Sequence, residues 1–343
     1  MYRPGTREWM VNRNGVSGNG AAVTMGSRKS PLTSGYLLKG YRIEKTLGGG
    51  GFSLVYLATH LETRERVAIK EFLPSAQARR LPNGRVEPAS VESARFFHHG
   101  IKRFFEEGGA LARVHHPNIV RVTNFFRAHN TAYMVMQYEQ GNDLRWYIKR
   151  HPRGLSEKFV RTVFPPLLEG LSELHRNGLL HLDIKPANIF LRPGGNPLLL
   201  DFGAAQHVRD SAQPNSPQTL TFGFAPIEQH EKGVLGAFTD VYAMGASMYA
   251  CLNGRPPPPA TERQIKDKYR PASVAFAHRY SAALLETIDW CLELAPSKRP
   301  QTANELLTAL NQAPQETLHP APAGPWTYLA RLGLRWPRVK SKT

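Results

Sequence analysis

The residues best suited to chemistry lie in His181-Leu182-Asp183-Ile184-Lys185-Pro186-Ala187-Asn188 and, beyond a short apolar run, in Asp201-Phe202-Gly203. A carboxylate at Asp183 can accept a hydroxyl proton or orient the hydroxyl. Lys185, two residues on, can neutralise negative charge on a phosphoryl group in flight. Asn188 and Asp201 offer hard oxygen donors of the kind Mg²⁺ takes. Any one of these residues is an ordinary helix cap or turn former. Their joint spacing is what argues for a site.

Two upstream segments offer complementary groups. Leu47-Gly48-Gly49-Gly50-Gly51-Phe52-Ser53-Leu54-Val55 is a glycine run whose backbone amides can approach phosphate with no side chain in the way. Alone it is equally a flexible hairpin turn. Its context is strand, loop, strand, which argues against the strand–loop–helix setting of dinucleotide and P-loop sites. Val67-Ala68-Ile69-Lys70 places a lysine on an apolar strand. Burial there is costly unless the ammonium is paired. Nucleotide phosphates and a helix carboxylate are suitable partners. Glu107 is the expected carboxylate and Glu106 its competitor. A surface lysine on an edge strand is the bland alternative.

Periodicity gives the elements that must position these groups. Residues 41–47, 53–59 and 65–72 read as strands. A polar excursion over 73–95 contains the turn signal Pro82-Asn83-Gly84-Arg85, which predicts a small hairpin. Ile101, Phe104, Phe105, Leu111 and Val114 predict a helix over 99–114. Strands follow at 119–127 and 131–138. Beyond Gly141 the pattern turns helical, most strongly over 156–176 and 239–252, with further stretches near 281–293 and 302–311. A β-rich first part and a helical second part predict an α+β molecule of two lobes with a cleft between them. The expected divisions are a flexible basic tail over 1–40, a β-rich lobe over 41–138, a helical lobe over 139–311, and a Pro-rich linker with a basic aromatic tail over 312–343.

Of the 343 residues, 41% are hydrophobic and 21% charged, which excludes wholesale disorder. Cys251 and Cys291 cannot make a disulfide framework, and no CxxC pair suggests zinc. They are expected in the core, in a reducing intracellular setting. No apolar run is long enough to span a membrane, and the start of the chain lacks the apolar core of a secretion signal. Lys and Arg number 44 against 27 Asp and Glu, a net charge of +17 that suits acidic partners. No nucleic-acid motif accompanies it, so nucleic acid is not an expected partner.

Together these motifs resemble those of eukaryotic-like (Hanks-type) protein serine/threonine kinases, whose fold has two lobes. The resemblance spans about residues 41–311. It extends to Ala225-Pro226-Ile227-Glu228, which matches the end of an activation segment. Asp240 matches the acid that opens the central helix of the large lobe, and Arg299 the arginine that pairs with Glu228. Lys185, two residues after Asp183, is of the serine/threonine type. The phrases KEFLPS (70–75) and FFEEGGALARVHHPNIV (104–120) look like a proteobacterial branch.

The resemblance implies use of ATP with Mg²⁺ or Mn²⁺, and protein substrates. Leu47 and the loop Gly48, Gly49, Gly50, Gly51, Phe52 and Ser53 would cover the phosphates, and Lys70, paired with Glu107, would contact them. Val55, Ala68 and Phe190 would sandwich adenine beside the gatekeeper Met136. The backbones of Gln137 and Glu139 would hold its edge, and Asp143 the ribose. Asp183 would be the base, Lys185 would steady the γ-phosphate, and Asn188 and Asp201 would hold the metal. Thr221 would sit between Asp183 and Lys185. Leu111, His181 and Phe202 would stack as a spine joining the lobes, next to Gly203.

Four departures from the family pattern bear on this. Ser53 stands where a third glycine is usual. Phe190 is bulkier than the usual aliphatic floor. Phe222-Gly223 follows Thr221 where Pro-Gly is common. Leu182 replaces the arginine that grips a phosphate on the activation segment, so activation is expected not to depend on that clamp. Ser211, Ser216, Thr219 and Thr221 are candidate phosphosites, against the alternative that they are plain loop residues. An ATP-binding scaffold without turnover is the competing function, favoured by Leu182 and opposed by the complete set Lys70, Glu107, Asp183, Lys185, Asn188 and Asp201. A small-molecule phosphotransferase is a third. Trp326, Leu329, Leu332 and Trp336 fall at helical spacing among Arg331, Arg335 and Arg338. They suggest contact with an anionic membrane or a partner groove, against a helix folded back or a disordered tail. The expected location is cytoplasmic, with peripheral membrane contact through this tail.

Overall fold

A computed structural model describes residues 30–202, 206–207, 220–231 and 233–312. In chain order the first part holds β1 (Leu37–Leu38), β2 (Tyr41–Gly49), β3 (Ser53–His60), β4 (Arg66–Phe72), β5 (Ala78–Arg80), β6 (Val86–Pro88), α1 (Val91–Leu111), β7 (Val122–Ala128) and β8 (Thr131–Gln137). The second part holds β9 (Asn142–Asp143), α2 (Leu144–Arg150), α3 (Glu157–Arg176), β10 (Leu179–Leu180), β11 (Ile189–Leu191), β12 (Pro197–Leu199) and β13 (Gln206–His207). The helices α4 (Ile227–His230), α5 (Ala237–Asn253), α6 (Ala260–Ile265), α7 (Ala272–Ala275), α8 (Ala282–Cys291) and α9 (Ala303–Gln312) complete it.

The first lobe is an antiparallel sheet in the order β1-β2-β3-β4-β8-β7. Its inner strands β4 and β8 are buried almost end to end and rich in β-branched and bulky apolar residues. α1 lies against them. Its apolar stripe runs Phe97, Ile101, Phe104, Gly108, Leu111, the spacing of one helical face. Two glycines let it pack close: a Cβ at Gly100 would meet the Phe72 ring at 2.4 Å, and one at Gly108 the Met134 methyl at 3.2 Å. The helix begins at Val91, earlier than its apolar pattern alone predicts. Ser90 and Ser93 cap it reciprocally, so the start is set by the cap and not by the stripe. Residues 30–40, expected as tail, also differ: Leu32 and Leu38 are buried in the core, and β1 pairs with β2.

The second lobe is built around α5. Every residue from Thr239 to Leu252 is buried, and Gly254 ends the helix in the left-handed region at φ 77°. A Cβ at Gly245 would meet Cys291 Cβ at 2.3 Å, so α5 and α8 cross at close range. Cys251 and Cys291 are buried free thiols whose pKa burial pushes up. Short sheets frame the cleft: β9 pairs with β11, β11 with β12, and Ile119 bridges to Leu199 from the first lobe's side. Among the described residues no helix is long and apolar enough to cross a membrane.

The excursion after β4 holds the predicted hairpin, β5 and β6, turning through Gly84 at φ 84°. A buried polar network anchors it. Glu71 is fully buried and accepts hydrogen bonds from Tyr56 Oη (2.7 Å) and Tyr133 Oη (2.5 Å). Arg80 of β5 pairs with the same carboxylate and donates to the carbonyls of Ser30 (2.7 Å) and Gly84 (2.8 Å). Thus Lys70 and Glu71, adjacent on β4, send opposite charges to opposite faces of the sheet. Arg80→Met would leave Glu71 buried without its cation. It is expected to cost about 3–5 kcal/mol in urea unfolding, much of it recovered by adding Glu71→Gln. A loss below about 1 kcal/mol would contradict this role for Arg80.

Candidate active site

The glycine loop closes the β2–β3 hairpin. Gly49 has no room for a side chain, since a Cβ would lie 2.7 Å from both Leu54 Cδ2 and Ser53 O. A Cβ at Gly50 or Gly51 would meet nothing within 4 Å. The loop is tied from outside: Ser75 donates to Gly51 O through its amide (2.9 Å) and hydroxyl (3.1 Å), and Leu73 N donates to Phe52 O (2.9 Å). Phe52, at the tip, is exposed.

Behind the loop lies a cavity of about 220 Å³. Leu47, Val55, Met136 and Phe190 give it apolar walls, and Lys70, Asn188 and Asp201 line its inner end. Ala68 is buried on β4 opposite Met136. Gln137 donates its backbone N–H to Arg121 O (3.0 Å). Glu139 faces Arg192 at 3.7 Å; burial pushes its carboxyl up while Arg192 pulls it down. Asp143 is already engaged within its own element. Its carboxylate caps α2 by accepting from Trp146 N (3.0 Å) and pairs with Arg145 at 2.7 Å. Any ribose contact would have to share these oxygens, because Arg145 lies two residues on, within reach of the carboxylate.

Lys70 is buried, with Nζ 2.7 Å from Asp201 Oδ1 and 4.0 Å from Glu107 Oε1. Burial pulls its pKa down, but Asp201 and Glu107 outweigh that and hold it above the usual lysine value. Glu106 is exposed and pairs with Lys102 (3.7 Å), so the carboxylate near Lys70 is Glu107. Glu107 Oε1 is buried with no hydrogen-bond partner in this arrangement. Burial pushes its carboxyl up to about 8 against the pull of Lys70.

The loop after β10 carries the acid cluster. Asp183 receives Lys185 Nζ on both carboxylate oxygens at 2.8 Å. Thr221 Oγ1 accepts from Lys185 Nζ (2.9 Å) and donates to Asp183 Oδ1 (3.2 Å), so it lies between the two. Asn188 Nδ2 donates to Asp183 O (2.8 Å) and Oδ2 (3.1 Å). That directs the amide nitrogen at Asp183 and leaves Oδ1 as the donor atom for a cation. Asn188 and Asp201 give one amide oxygen and one carboxylate. No larger cluster of metal-ligating side chains exists among the described residues. This sparse oxygen set fits Mg²⁺, which keeps waters and phosphate oxygens in its shell.

Buried contacts hold the loop. Asp240 accepts the backbone N–H of His181 (2.8 Å) and of Leu182 (2.8 Å), and His175 Nε2 lies 2.9 Å away. Burial raises the Asp240 carboxyl, but these bonds and the nearby histidines bring it below the usual carboxylate range. His181 is fully buried and packs on Phe202 at 4.5 Å. Its Nδ1 accepts from Asp183 N (3.3 Å) and its Nε2 donates to Leu200 O (3.2 Å), the pattern of a neutral ring, and burial lowers its pKa. Glu228 and Arg299 form a buried bidentate pair at 2.7 and 3.1 Å. Leu182 and Asp201 adopt left-handed φ of 61° and 58° without being glycine.

Leu182 packs with Leu180 and Leu235 in a small apolar cluster, and Gln229 Nε2 donates to Leu182 O (2.9 Å). Gln229, Leu235, His175 and Arg145 were not marked by the sequence. Only Gln229 carries a positional signal, directly after Glu228. A Cβ at Gly223 would meet Pro256 Cβ at 2.8 Å, and Phe222 beside it is exposed. Gly203, Ser211, Ser216 and Thr219 lie outside the described residues.

The protein kinase domain family model matches residues 41–310. Among curated proteins, the serine/threonine-protein kinase D of Synechocystis is 28% identical, covering 84% of this chain and 56% of that protein. The serine/threonine-protein kinase PrkC of Bacillus subtilis is 27% identical, covering 76% and 38%. The chain therefore spans about half or less of these relatives. A solved structure titled PpkA-294 apo form matches with a TM-score of 0.74 and 34% identity, over 82% of this chain and all of that one.

Glu107 generates a pH prediction. Its carboxyl ionises near 4.5 when unfolded and near 8 when folded. Between those values the folded protein keeps a proton that the unfolded chain releases, so stability falls as pH rises. In nucleotide-free protein, urea unfolding should show a larger loss from pH 5 to pH 8 for wild type than for Glu107→Gln. Parallel losses would contradict the assignment.

Proposed function

The chain belongs to the protein kinase family, and from that premise we propose that it transfers the γ-phosphoryl group of Mg²⁺-ATP to serine or threonine hydroxyls of proteins, itself included. The observation that carries this proposal is the cluster of Asp183, Lys185, Thr221 and Asn188 facing the Lys70–Asp201 pair across one cleft. Lys185 at Asp183 and Thr221 at Lys185 are the serine/threonine pattern.

In this proposal Lys70 clamps the nucleotide phosphates. Asp183 orients the acceptor hydroxyl and takes its proton as the new O–P bond forms and the bond to the ADP oxygen breaks. Lys185, already bonded to Asp183 and Thr221, neutralises charge on the transferring group. Asn188 and Asp201 would hold the metal, which when bound supplies charge neutralisation between the phosphates. Catalysis is then positioning plus electrostatic stabilisation. Phe190, Val55 and Met136 would enclose the adenine.

We also propose that activity does not wait for a phosphate gripped by an arginine at position 182. Support comes from the apolar contact of Leu182 with Leu180 and Leu235 and from the Gln229 bond to Leu182 O, which tie the loop to the segment end without any charge. The motif phrases favour a proteobacterial branch, and dependence on ATP favours a cytoplasmic setting. Membrane or partner contact through the 326–343 segment extends the same proposal.

Two outcomes test it. With labelled ATP and Mg²⁺ or Mn²⁺, wild type should label itself or a generic protein substrate, and Lys70→Met or Asp201→Ala should lower transfer by at least about 100-fold. Nucleotide binding with no transfer by wild type would replace the proposal with a scaffold. Separately, the triple variant Ser211→Ala/Ser216→Ala/Thr219→Ala should retain most of the transfer. Its loss would overturn independence from segment phosphorylation.

A further inference from the structure

The active-site cleft widens beyond the nucleotide cavity toward the acceptor side, and the charge of its described residues is one-sided. The acids on this lining, among the described residues, are Glu107, Asp183 and Asp201, each already used for nucleotide, metal or proton. The cations include four that phosphoryl transfer does not use: Arg103, Arg145, Lys149 and Arg255. Net charge of the chain accounts for many cations. It does not account for the scarcity of acids among the described lining residues, since the chain holds 27 Asp and Glu.

The cations come from different elements. Arg145 and Lys149 are four residues apart on α2, on the face that Ile148 also turns to the cleft. Arg255 comes from the connection between α5 and α6. Lys149 and Arg255 are exposed, so their charge is available to an incoming chain. Arg145 is partly committed to Asp143. On the loop and on α5, the cleft wall is made by the small residues Ala187 and Ala250. An arginine or lysine on an acceptor chain finds no unassigned carboxylate here among the described residues, and it meets like charge. An aspartate or glutamate meets complementary charge.

We propose that the cleft selects acceptor segments bearing Asp or Glu near the phosphorylated hydroxyl, with Lys149 and Arg255 as specificity residues. The inference rests on the kinase assignment for its meaning, but binding tests it without turnover. The attraction acts between partly exposed charges and is therefore salt-sensitive.

The experiment uses the whole protein and fluorescent peptides read by anisotropy at low ionic strength. The peptides carry alanine at the acceptor position, flanked by Asp/Glu, by Gln, or by Lys/Arg. Acidic peptides should bind at least about tenfold tighter than basic ones. The double variant Lys149→Glu/Arg255→Glu should abolish or invert that order. Lys158→Glu/Lys298→Glu makes the same change in net charge at exposed residues outside the cleft and should leave the order intact. Equal or tighter binding of the basic peptide would overturn the inference. So would a loss of preference as large in the outside variant as in the cleft variant, which would assign the effect to overall charge. Serine versions of the same peptides then separate the two claims: selective binding without transfer would sink the kinase assignment and leave the selectivity standing.

Discussion

The buried carboxylate of Asp240 is the constraint on which the site depends. Two consecutive backbone N–H groups, those of His181 and Leu182, point at it, and Leu182 reaches that position only with a left-handed φ. Such a conformation costs a non-glycine residue about 1–3 kcal/mol and persists only where surroundings hold it. Here α5 supplies the acid, α3 supplies His175, and α5 is itself buried along its length. The rigid centre of the helical lobe thus fixes a strained loop. Asp183, Lys185 and Asn188 inherit their positions from it.

The second organising feature is Lys70. A buried ammonium must be neutralised, and this one is met by the Asp201 carboxylate beyond β12, with the Glu107 carboxyl of α1 on its other side. The contact with Asp201 is close and that with Glu107 is at the edge of ion-pair range. Sheet, helix and the Asp201 segment meet at one charge. On the other face of β4, Glu71 couples the same strand to the β5–β6 hairpin through Arg80. Adjacent residues of one strand therefore tie the nucleotide side and the outer side of the sheet to separate charge networks.

Much of this was legible in the sequence, because the groups that do chemistry must sit at fixed offsets from one another. Asp183, Lys185, Asn188 and Asp201 were marked by spacing alone, and Glu107 was preferred to Glu106. The main strands and long helices were marked by periodicity. What escaped has physical reasons. The start of α1 depends on a serine cap and not on apolar spacing. Leu32 and Leu38 belong to the core although the segment around them looks like tail, since burial of single side chains leaves no periodic trace. The apolar cluster of Leu180, Leu182 and Leu235 joins residues distant in sequence, as does the network of Glu71, Arg80, Tyr56 and Tyr133. Asp143 was read by type and position, and its capture by Arg145 is a property of local geometry.

The most direct measurement is amide hydrogen exchange on Asp240→Asn beside wild type, with phosphate transfer assayed on the same samples. The amide nitrogen would face an N–H where a carboxylate oxygen now accepts one. Exchange at His181 and Leu182 should become markedly faster, protection in the β2–β4 strands should not change, and transfer should fall sharply. Unchanged protection at His181 and Leu182, with transfer retained, would contradict the view that this carboxylate holds the loop of Asp183 in place.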